Sequence, residues 1–433
     1  MIAGMKTPSF LPLLLVCFAL SCTSTQRNGP TPSASAAGQT TVVWISIDGF
    51  RHDYVERFHP PFLSRLAKEG AFTNQETPIF PSLTYPNHAA QITGRTPDGS
   101  GIPSNAFYDD ATGKQYYLPD ESSLLRAEPI WVTAERQGVR TAVIDWPMSH
   151  AQTGEWTAEY YGQTFDKKEP DAHRLQRMVD TLKADHNAKP YRLVMSYVFN
   201  VDTVGHKYGP DSKEVGEAVL DVDAALSSFS RQVIEWFNAT HSPNDQLYLL
   251  FTTDHGMEPI NTTVNLDRLL GGDLSHGIKI FTSGPIATIH LNGLPEDERA
   301  ARAQAIVDKL NTNSYLTAWK AADVPAKYHL SDPTRVGEVV VSLQPGYSLT
   351  SIRTGATEPS TKPTAQPLKG NHGYDPAVCP NMLGTAIVWS YRHPQGGHDL
   401  GVISNTQWAA TVDQLLNISP AAGSDDRAVD VSR

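Results

Sequence analysis

The chain has 433 residues, a formal net charge of −11 and 40% hydrophobic residues, so it can bury a large core in one or two domains. The sequence contains no basic tract to neutralise a phosphate backbone, which argues against a nucleic-acid polymer as an obligate partner. The acidic balance does not exclude a small anionic substrate, because bound metal ions would supply positive charge locally.

Residues 1–22 have the pattern of an export signal. Their apolar run, Phe10–Leu20, is long enough for a signal peptide and too short to span a bilayer. The run closes with Ala19-Leu20-Ser21-Cys22, which resembles a bacterial lipobox and predicts lipid on Cys22; cleavage by the ordinary signal peptidase is the alternative. Residues 23–40 are rich in Ser, Thr, Ala, Gly and Pro, as a flexible linker would be. We therefore expect an exported, periplasmic protein that lipid anchors to a membrane.

Apolar runs typical of buried strands alternate with amphipathic helical patterns between residues 41 and 420. The predicted strands are Thr41–Ile47, Thr141–Ile144, Arg192–Val198 and Leu247–Phe251. The predicted helices are Pro60–Glu69, Pro129–Gln137, Asp171–His186, Lys213–Phe237 and Trp408–Leu416. This alternation predicts an α/β fold, a three-layer sandwich in which helices cover both faces of a mostly parallel sheet. We interpret residues 261–370 as an elaboration of the same domain and residues 421–433 as a disordered tail.

Carboxylates and histidines follow three of the predicted strands. Asp48 follows the first, Asp202 and His206 follow the third, and Asp254-His255 follows the fourth. The carboxyl ends of parallel strands meet at one edge of a sheet, where ligands bind, so these side chains should converge. Each alone would usually be a surface or capping residue. A carboxylate beside an imidazole at the end of a buried strand is costly unless it is paired, and zinc accepts both kinds of ligand. Together they predict a dinuclear metal site.

Thr84 lies in a proline-bounded turn directly before a short predicted helix, Asn87–Thr93. The free amides at a helix N-terminus favour a phosphate or an oxyanion at such a position. A threonine here more often merely caps the helix. Because the chain also carries Asp and His residues that could bind metal, however, the Thr84 hydroxyl is a candidate catalytic group.

Five segments of the chain resemble one known family. They are SIDGFRHDY (46–54), FPSLTYPNH (80–88), DTVGHKYGP (202–210), TTDHGM (252–257) and GNHGYDP (370–376). In this order they resemble the nucleotide pyrophosphatase/phosphodiesterase family of the alkaline phosphatase superfamily. The resemblance implies an alkaline-phosphatase-like fold and a single catalytic domain over residues 41–420.

The resemblance also implies two zinc ions and a set of ligands for each. The ligands of one ion would be Asp48, Asp254 and His255, and those of the other would be Asp202, His206 and His372. The first ion would also bind Thr84, whose hydroxyl corresponds to the family's nucleophile. His372 is identified by the resemblance alone.

Three further residues match positions that contact the substrate in this family. Asn105 corresponds to an asparagine that hydrogen-bonds a phosphoryl oxygen; taken alone, it would be an ordinary loop asparagine. Tyr85 and Tyr197 correspond to aromatic residues that sandwich a nucleobase. Base stacking of this kind contributes about 1–3 kcal/mol per base. The alternative for Tyr197 is a core position in its strand.

The predicted activity is hydrolysis of phosphodiester or pyrophosphate bonds in small nucleotides, releasing nucleoside 5′-monophosphates through a phosphothreonine. A phosphocholine or phospholipid-type phosphodiesterase would share the same metal core. A phosphate monoesterase is less favoured, because no Lys/Arg pair matches the clamp that some of these enzymes use. The alternative from a different class is a non-catalytic, lipid-anchored binding protein. No protein partner is evident.

Overall fold

The structure, a computed structural model, describes residues 38–162, 165–350, 368–394, 396–423 and 427–431. The predicted signal peptide and most of the predicted linker lie outside these residues, so export and lipid on Cys22 stay predictions. Within the described residues, no helix is both long enough and apolar enough to cross a membrane.

The strands are numbered here in chain order. They are β1 Thr40–Ile47, β2 Ala71–Thr77, β3 Ala106–Asp109, β4 Lys114–Tyr117, β5 Thr141–Ile144, β6 Tyr160–Tyr161, β7 Leu193–Val198, β8 Gln246–Thr252, β9 Glu258–Pro259, β10 Thr262–Val264, β11 Lys279–Ser283, β12 Ile286–His290, β13 Leu316–Lys320, β14 Val339–Leu343, β15 Tyr347–Leu349, β16 Gly370–Asn371, β17 Gly384–Ser390, β18 His398–Asp399 and β19 Ile403–Ser404. The four strands named in the sequence analysis are all present.

The helices are numbered in the same way. They are α1 Tyr54–Phe58, α2 Pro61–Glu69, α3 Thr84–Thr93, α4 Pro97–Ser100, α5 Ile130–Arg136, α6 Asp171–Ala184, α7 Asn200–Tyr208, α8 Lys213–Thr240, α9 Leu266–Leu270, α10 Gly272–Ser275, α11 Glu296–Leu310 and α12 Trp408–Leu416. The predicted helices are present too, with ends shifted by up to three residues.

The central sheet has the strand order β18-β2-β17-β8-β1-β7-β5-β6, and β19 also pairs with β2. β1 is parallel to β7 and β8, and β5 is parallel to β6 and β7. β17 runs antiparallel to both of its neighbours, β8 and β2. The predicted α/β fold with a mostly parallel sheet is therefore confirmed, as a mixed sheet.

Successive residues of β1 point into two separate apolar layers. Val43 and Ile45 pack in the layer beneath α2, α6 and α8, whereas Val42 and Trp44 pack in the layer beneath α5 and α12. A strand buried on both faces has no polar side, which explains its continuous apolar run. The predicted three-layer arrangement, with helices over both faces of the sheet, follows from this double burial.

Five strands of the central sheet were not predicted: β2, β17 and the two-residue strands β6, β18 and β19. The sequence of β2, AFTNQET, lacks the apolar run that marks the other strands, and its Glu76 is fully buried. Only the two-residue strands β18 and β19 pair with its outer edge. A polar strand of this kind is accepted because tertiary hydrogen bonds satisfy its side chains, which local sequence patterns do not report.

Residues 261–370 contain a smaller antiparallel sheet with the order β11-β12-β14-β13. With α11 this sheet encloses its own apolar cluster, in which Ile289, Ile306 and Val341 are fully buried. The middle of this region is formed by β12 and α11, which follow each other in the chain.

The C-terminal residues differ from the prediction of a disordered tail over residues 421–433. Val429 and Val431 are each only 6% exposed and belong to the apolar layer beneath α12. The Val429 N–H donates a hydrogen bond of 2.9 Å to Thr411 Oγ1 in α12. The segment is otherwise polar, and two valines two residues apart are too few apolar residues to predict this packing.

We predict that Val429→Ala lowers the free energy of unfolding by about 1–2 kcal/mol, because it removes buried methyl groups. Equilibrium urea unfolding measures the change. Val402→Ala is the matched control, since this valine is 70% exposed, and it should change stability by less than about 0.5 kcal/mol. Equally small effects at both positions would contradict the packing of the C-terminal residues.

Candidate metal centre and nucleophile

The predicted ligands converge at one edge of the central sheet. Asp48 directly follows β1, and Asp254 lies two residues past the end of β8. Asp202 and His206 lie in α7, which begins just after β7. Because β1, β7 and β8 are parallel neighbours, their carboxyl ends bring these side chains together, as the topology predicts.

One group of possible metal ligands consists of Asp48, Asp254 and His255, all of which are buried. His255 Nε2 lies 3.1 Å from Asp254 Oδ2 and 3.3 Å from Asp48 Oδ1. Gly49 makes the turn after β1 with a φ of +67°, and a Cβ there would lie 3.0 Å from the Cα of Asp202. Only glycine therefore fits this turn without strain.

A second group is centred on Asp202. Its Oδ1 lies 3.4 Å from His206 Nε2 and 3.6 Å from His372 Nε2. Asp202 and His206 occupy successive turns of α7, as their four-residue spacing requires. The rings of His372 and His255 stack with their centroids 3.5 Å apart, so His255 lies within reach of both groups. Asp202, His255 and His372 form a group that could hold one ion together, and His206 lies beside Asp202.

The three histidines direct their Nδ1 atoms toward backbone carbonyl oxygens. These acceptors belong to Gly370, Gly256 and Ser82, at 2.9, 2.9 and 3.0 Å from His206, His255 and His372 respectively. A carbonyl oxygen only accepts, so Nδ1 carries a proton, which leaves the lone pair at Nε2 to bind a metal ion. Hydrogen bonds of this kind orient metal-binding histidines in proteins.

Three buried carboxylate oxygens in the cluster accept no hydrogen bond within the described residues. They are Asp48 Oδ1, Asp202 Oδ1 and Asp254 Oδ2. The same three atoms face the histidine Nε2 lone pairs. Two hydrogen-bond acceptors that face each other form no hydrogen bond, and burying a carboxylate without a partner costs free energy. A cation between them would satisfy both, and carboxylate oxygen with imidazole nitrogen is a ligand set that suits zinc.

The electrostatics of the cluster also favour a cation. Burial raises the pKa of Asp48 well above its ordinary value, and the charges of Asp254 and Asp202 raise it further. Burial likewise raises the pKa of Asp254, to about 8. Burial lowers the pKa of His372 well below its ordinary value, and the neighbouring His255 and His206 act in the same direction. A bound cation would supply the positive charge that keeps these buried carboxylates ionised.

Thr84 is the first residue of α3, and its Oγ1 lies 3.2 Å from His255 Nε2. The preceding residue, Leu83, has no side chain that could cap the helix. The Thr84 hydroxyl therefore does not cap the helix, the alternative predicted from sequence, but points to the first ligand group. The Thr84 N–H at the start of this helix remains as a donor to an anion at the same place, because the Tyr85 N–H donates to Asn105 and Pro86 has no N–H.

His88 joins the helix of Thr84 to the strand of Asp48, a role that the sequence analysis missed. Its Nδ1 lies 2.8 Å from the Thr84 carbonyl oxygen, and its Nε2 lies 2.8 Å from Ser46 Oγ. Burial lowers the pKa of His88 to about 3, so the ring is neutral, donates to Thr84 and accepts from Ser46. The four-residue spacing from Thr84 in a helix was the available signal.

Asn105 lies beside Tyr85 at the start of α3. Its Oδ1 accepts a hydrogen bond of 2.9 Å from the Tyr85 backbone N–H. The carbonyl end of the amide is thus engaged, which leaves its NH2 group to donate. Tyr85 itself is partly buried against the apolar cluster that contains Phe107 and Met148.

Tyr197 differs from its predicted role as a base-stacking residue. Its side chain is only 6% exposed, and its hydroxyl donates to Asp48 Oδ2. Its ring packs edge-on against His88, with centroids 5.1 Å apart, and stacks on Phe199 at 6.0 Å. A ring buried in this way offers little face to a nucleobase. The structure favours the core alternative, in which the Tyr197 hydroxyl also holds the Asp48 carboxylate in place.

Three buried side chains outside the ligand set hold the backbone at Thr253 and Asp254. Glu76 in β2 accepts from the Thr253 N–H at 2.8 Å, and Gln91 in α3 donates to the Thr253 carbonyl oxygen at 2.9 Å. Asn405 donates to the Asp254 carbonyl oxygen at 2.9 Å. None of these three contacts was predicted. In the sequence, each is only a polar residue in a buried element, and that pattern does not identify its hydrogen-bond partner.

Comparison with known proteins agrees with this architecture. Residues 42–375 match the family described as type I phosphodiesterase / nucleotide pyrophosphatase. An uncharacterized pyrophosphatase/phosphodiesterase of Schizosaccharomyces pombe is 31% identical, with 91% of this chain and 81% of that relative covered. A mouse bis(5′-adenosyl)-triphosphatase is 26% identical, with 90% and 86% covered. Human ectonucleotide pyrophosphatase/phosphodiesterase family member 1 is 26% identical, and this chain spans 40% of its length.

Solved structures show the same fold. Human ectonucleotide pyrophosphatase/phosphodiesterase 5 superposes with a TM-score of 0.74 at 24% identity, covering 88% of this chain and 96% of that one. An inactive threonine-to-alanine variant of the murine protein, in complex with AMP, gives the same TM-score at 23% identity. The matched family and relatives hydrolyse phosphodiester and pyrophosphate bonds, as their names state. The chain belongs to the type I phosphodiesterase / nucleotide pyrophosphatase family, within the alkaline phosphatase superfamily, and is a hydrolase of phosphodiester bonds.

Proposed function

We propose that this hydrolase uses two zinc ions and a phosphothreonine at Thr84 to release nucleoside 5′-monophosphates from nucleotides. The observation that carries the proposal is the position of Thr84 Oγ1, 3.2 Å from His255 Nε2 and beside carboxylates whose oxygens lack partners. The murine relative supports it, because an inactive threonine-to-alanine variant of that protein was solved with AMP bound.

Each proposed zinc ion has its own set of protein ligands. One set is Asp48, Asp254 and His255, and the other is Asp202, His206 and His372. Bound zinc would lower the pKa of the Thr84 hydroxyl and neutralise charge that develops on the phosphoryl group. His88 and Asn105 would keep the first turn of α3 in place while Thr84 reacts.

The reaction would proceed in two displacements at phosphorus. The Thr84 hydroxyl gives its proton to solvent, and Oγ attacks the phosphorus opposite the leaving oxygen; the Oγ–P bond forms as the bond to the leaving oxygen breaks. Water then attacks the same phosphorus, the Oγ–P bond breaks, and a proton of that water passes to Thr84 Oγ. The NH2 group of Asn105 would donate to a phosphoryl oxygen, and the Thr84 N–H at the start of α3 would add a second donor, since the Tyr85 N–H is used by Asn105 and Pro86 has none.

The surroundings favour a diester or pyrophosphate over a phosphate monoester. A monoester carries an additional negative charge, which monoesterases neutralise with basic side chains. The buried guanidinium near this region, that of Arg51, is already paired with Asp53 and Asp211. With Tyr197 buried, Tyr85 alone remains of the two proposed stacking residues, so a base would stack on one side only.

We also propose that the protein is exported and anchored by lipid at Cys22. The support is the pattern of residues 1–22 and the "ecto" names of the human and rodent relatives. Metal-dependent hydrolysis of small nucleotides outside the cytoplasm would need no protein partner.

Thr84→Ala should reduce turnover by at least about a thousandfold while leaving metal content unchanged, because only the nucleophile is removed. Steady-state hydrolysis of a p-nitrophenyl nucleotide diester measures the loss. Mass spectrometry after acid quench should find a phosphorylated Thr84 peptide in the wild type only. Thr84→Ser is the matched control and should keep measurable activity. Turnover of the alanine variant within about tenfold of the wild type would rule out the covalent route.

His372→Ala and Asp254→Asn should each lose about one zinc equivalent, because each removes a ligand of a different ion. Elemental analysis of the purified proteins gives the metal content. His276→Ala is the control, since His276 is exposed and outside both groups, and it should keep the wild-type content. Full zinc occupancy in both ligand variants would contradict the assignment.

ATP should yield AMP and pyrophosphate, and a p-nitrophenyl nucleotide diester should be hydrolysed faster than p-nitrophenyl phosphate. The reason is that no Lys/Arg pair in the sequence matches the clamp that some monoesterases use for the additional charge of a monoester. Product analysis by ion-exchange chromatography identifies which bond breaks. Faster hydrolysis of p-nitrophenyl phosphorylcholine than of every nucleotide would identify a phosphocholine esterase with the same metal core.

A further inference from the structure

His372 differs from the other proposed ligands in how the fold positions it. The others lie just past strands of the central sheet or in α7. His372 instead follows β16, which pairs with β9 in a separate two-stranded sheet. The position of its Nε2, 3.6 Å from Asp202 Oδ1, therefore depends on the contacts that hold residues 371–375, the His372 loop.

Strand β15 holds one part of the His372 loop. Asn371 Nδ2 donates a hydrogen bond of 2.7 Å to Ser348 Oγ. The Tyr374 hydroxyl donates one of 2.7 Å to the Tyr347 carbonyl oxygen. Both acceptors belong to β15. These bonds attach the loop to a part of the chain that carries no proposed ligand or nucleophile.

Ser82 holds the same loop from the segment that carries the proposed nucleophile. Its Oγ donates to the Tyr374 carbonyl oxygen at 2.7 Å and accepts from the Gly373 N–H at 3.1 Å. Its carbonyl oxygen accepts from His372 Nδ1 at 3.0 Å. A hydroxyl can donate and accept at once, as this position requires. Ser82 is fully buried, and it contacts three successive residues of the loop.

Close packing also joins the His372 loop to the residue before the nucleophile. Gly373 has a φ of +118°, and a Cβ there would lie 2.9 Å from Leu83 Cδ2 and 2.8 Å from Pro285 Cδ. Leu83 is 1% exposed and directly precedes Thr84. Because the contact leaves no room for a side chain at Gly373, a displaced loop would also displace Leu83.

We propose that Ser82 is a positioning residue for the second zinc site: its hydroxyl holds the His372 loop with Nε2 facing Asp202, and joins this ligand to the segment of Thr84. It rests on the proposed function, in which Asp202, His206 and His372 bind one of two zinc ions. Ser82 itself would not touch an ion. Hydrogen-bond partners that orient metal ligands typically contribute about 10–100-fold to metal affinity.

A purely structural role of Ser82 makes a different prediction. Removal of the hydroxyl leaves the Gly373 N–H and the Tyr374 carbonyl oxygen without their partner, which destabilises a buried region in any protein. A structural role therefore predicts lower stability of the metal-free protein, with both zinc affinities changed alike or unchanged. A positioning role predicts that the loss of affinity is confined to one zinc site.

The zinc affinities of the metal-free wild type and of Ser82→Ala are measured by competition with a chromophoric chelator. One of the two sites should weaken about 10–100-fold in Ser82→Ala, and the other should keep its affinity. Ser100→Ala is the matched control, since Ser100 is also fully buried and its Oγ accepts from the Ile102 N–H at 3.4 Å. It should change neither affinity. Equal weakening of both sites in Ser82→Ala, or of neither, would overturn the proposal.

Variants that lack one ligand identify the site that Ser82 supports. In an Asp254→Asn background the second site remains, and Ser82→Ala should weaken it by the same factor of about 10–100. In a His372→Ala background the first site remains, and Ser82→Ala should leave its affinity unchanged. The reverse pattern would overturn the role of Ser82 at the second site.

Ser82→Thr separates zinc affinity from stability. It keeps the hydroxyl but adds a methyl group at a fully buried position, so urea unfolding should show a less stable protein whose zinc affinities are unchanged. Affinities that fall with stability in both variants would overturn the positioning role. Zinc release from the loaded proteins to excess chelator does not require the metal-free variants to fold. One of the two ions should leave Ser82→Ala about 10–100-fold faster than the wild type.

Zinc binding does not require Thr84 to react, so these results are independent of the covalent mechanism. Unchanged zinc affinities in Ser82→Ala, together with a phosphothreonine in the wild type, would overturn the role of Ser82 and leave the proposed function in place. Weakening of one site in Ser82→Ala, with no phosphothreonine in the wild type, would contradict the covalent mechanism and support the role of Ser82.

Discussion

One electrostatic constraint dominates the candidate site: carboxylate oxygens face the Nε2 lone pairs of histidines in a buried cluster. Asp48, Asp202 and Asp254 each place an unpartnered oxygen 3.1–3.6 Å from a histidine Nε2. Backbone carbonyls hold the opposite nitrogens, so the rings cannot turn to donate. Acceptors opposed in this way destabilise a buried site unless a cation lies between them. The fold around the cluster supplies the rigidity that keeps these groups together.

Strands, a tight turn and buried hydrogen bonds together hold the backbone at the positions that carry these groups. The parallel strands β1, β7 and β8 deliver the ligands to one edge, and the turn at Gly49 lets α7 approach closely. Hydrogen bonds from His88 connect α3, the helix of Thr84, to β1. Hydrogen bonds to Glu76 and Asn405 hold the turn that carries Asp254. Preorganised contacts of this kind keep catalytic groups within the small tolerance that phosphoryl transfer requires.

Much of this could be predicted from sequence, because the relevant signals are local or topological. Double burial gives β1 its continuous apolar run, and a four-residue spacing put Asp202 and His206 on one side of α7. The polar strand β2 and the packing of Val429 could not be predicted, since both depend on distant partners. Tyr197 shows the limit of a motif match, because its ring is buried and its hydroxyl is used by Asp48. The contacts of Ser82 with the His372 loop join segments that are distant in the chain and have no local pattern.

We expect two cations to bind among the buried carboxylates and histidines, and anomalous diffraction at the zinc absorption edge tests this most directly. Crystals of the zinc-loaded protein should show two anomalous peaks in each chain. One should lie among Asp48, Asp254, His255 and Thr84, and the other among Asp202, His206 and His372. A single peak, or peaks bound by other residues, would contradict the account.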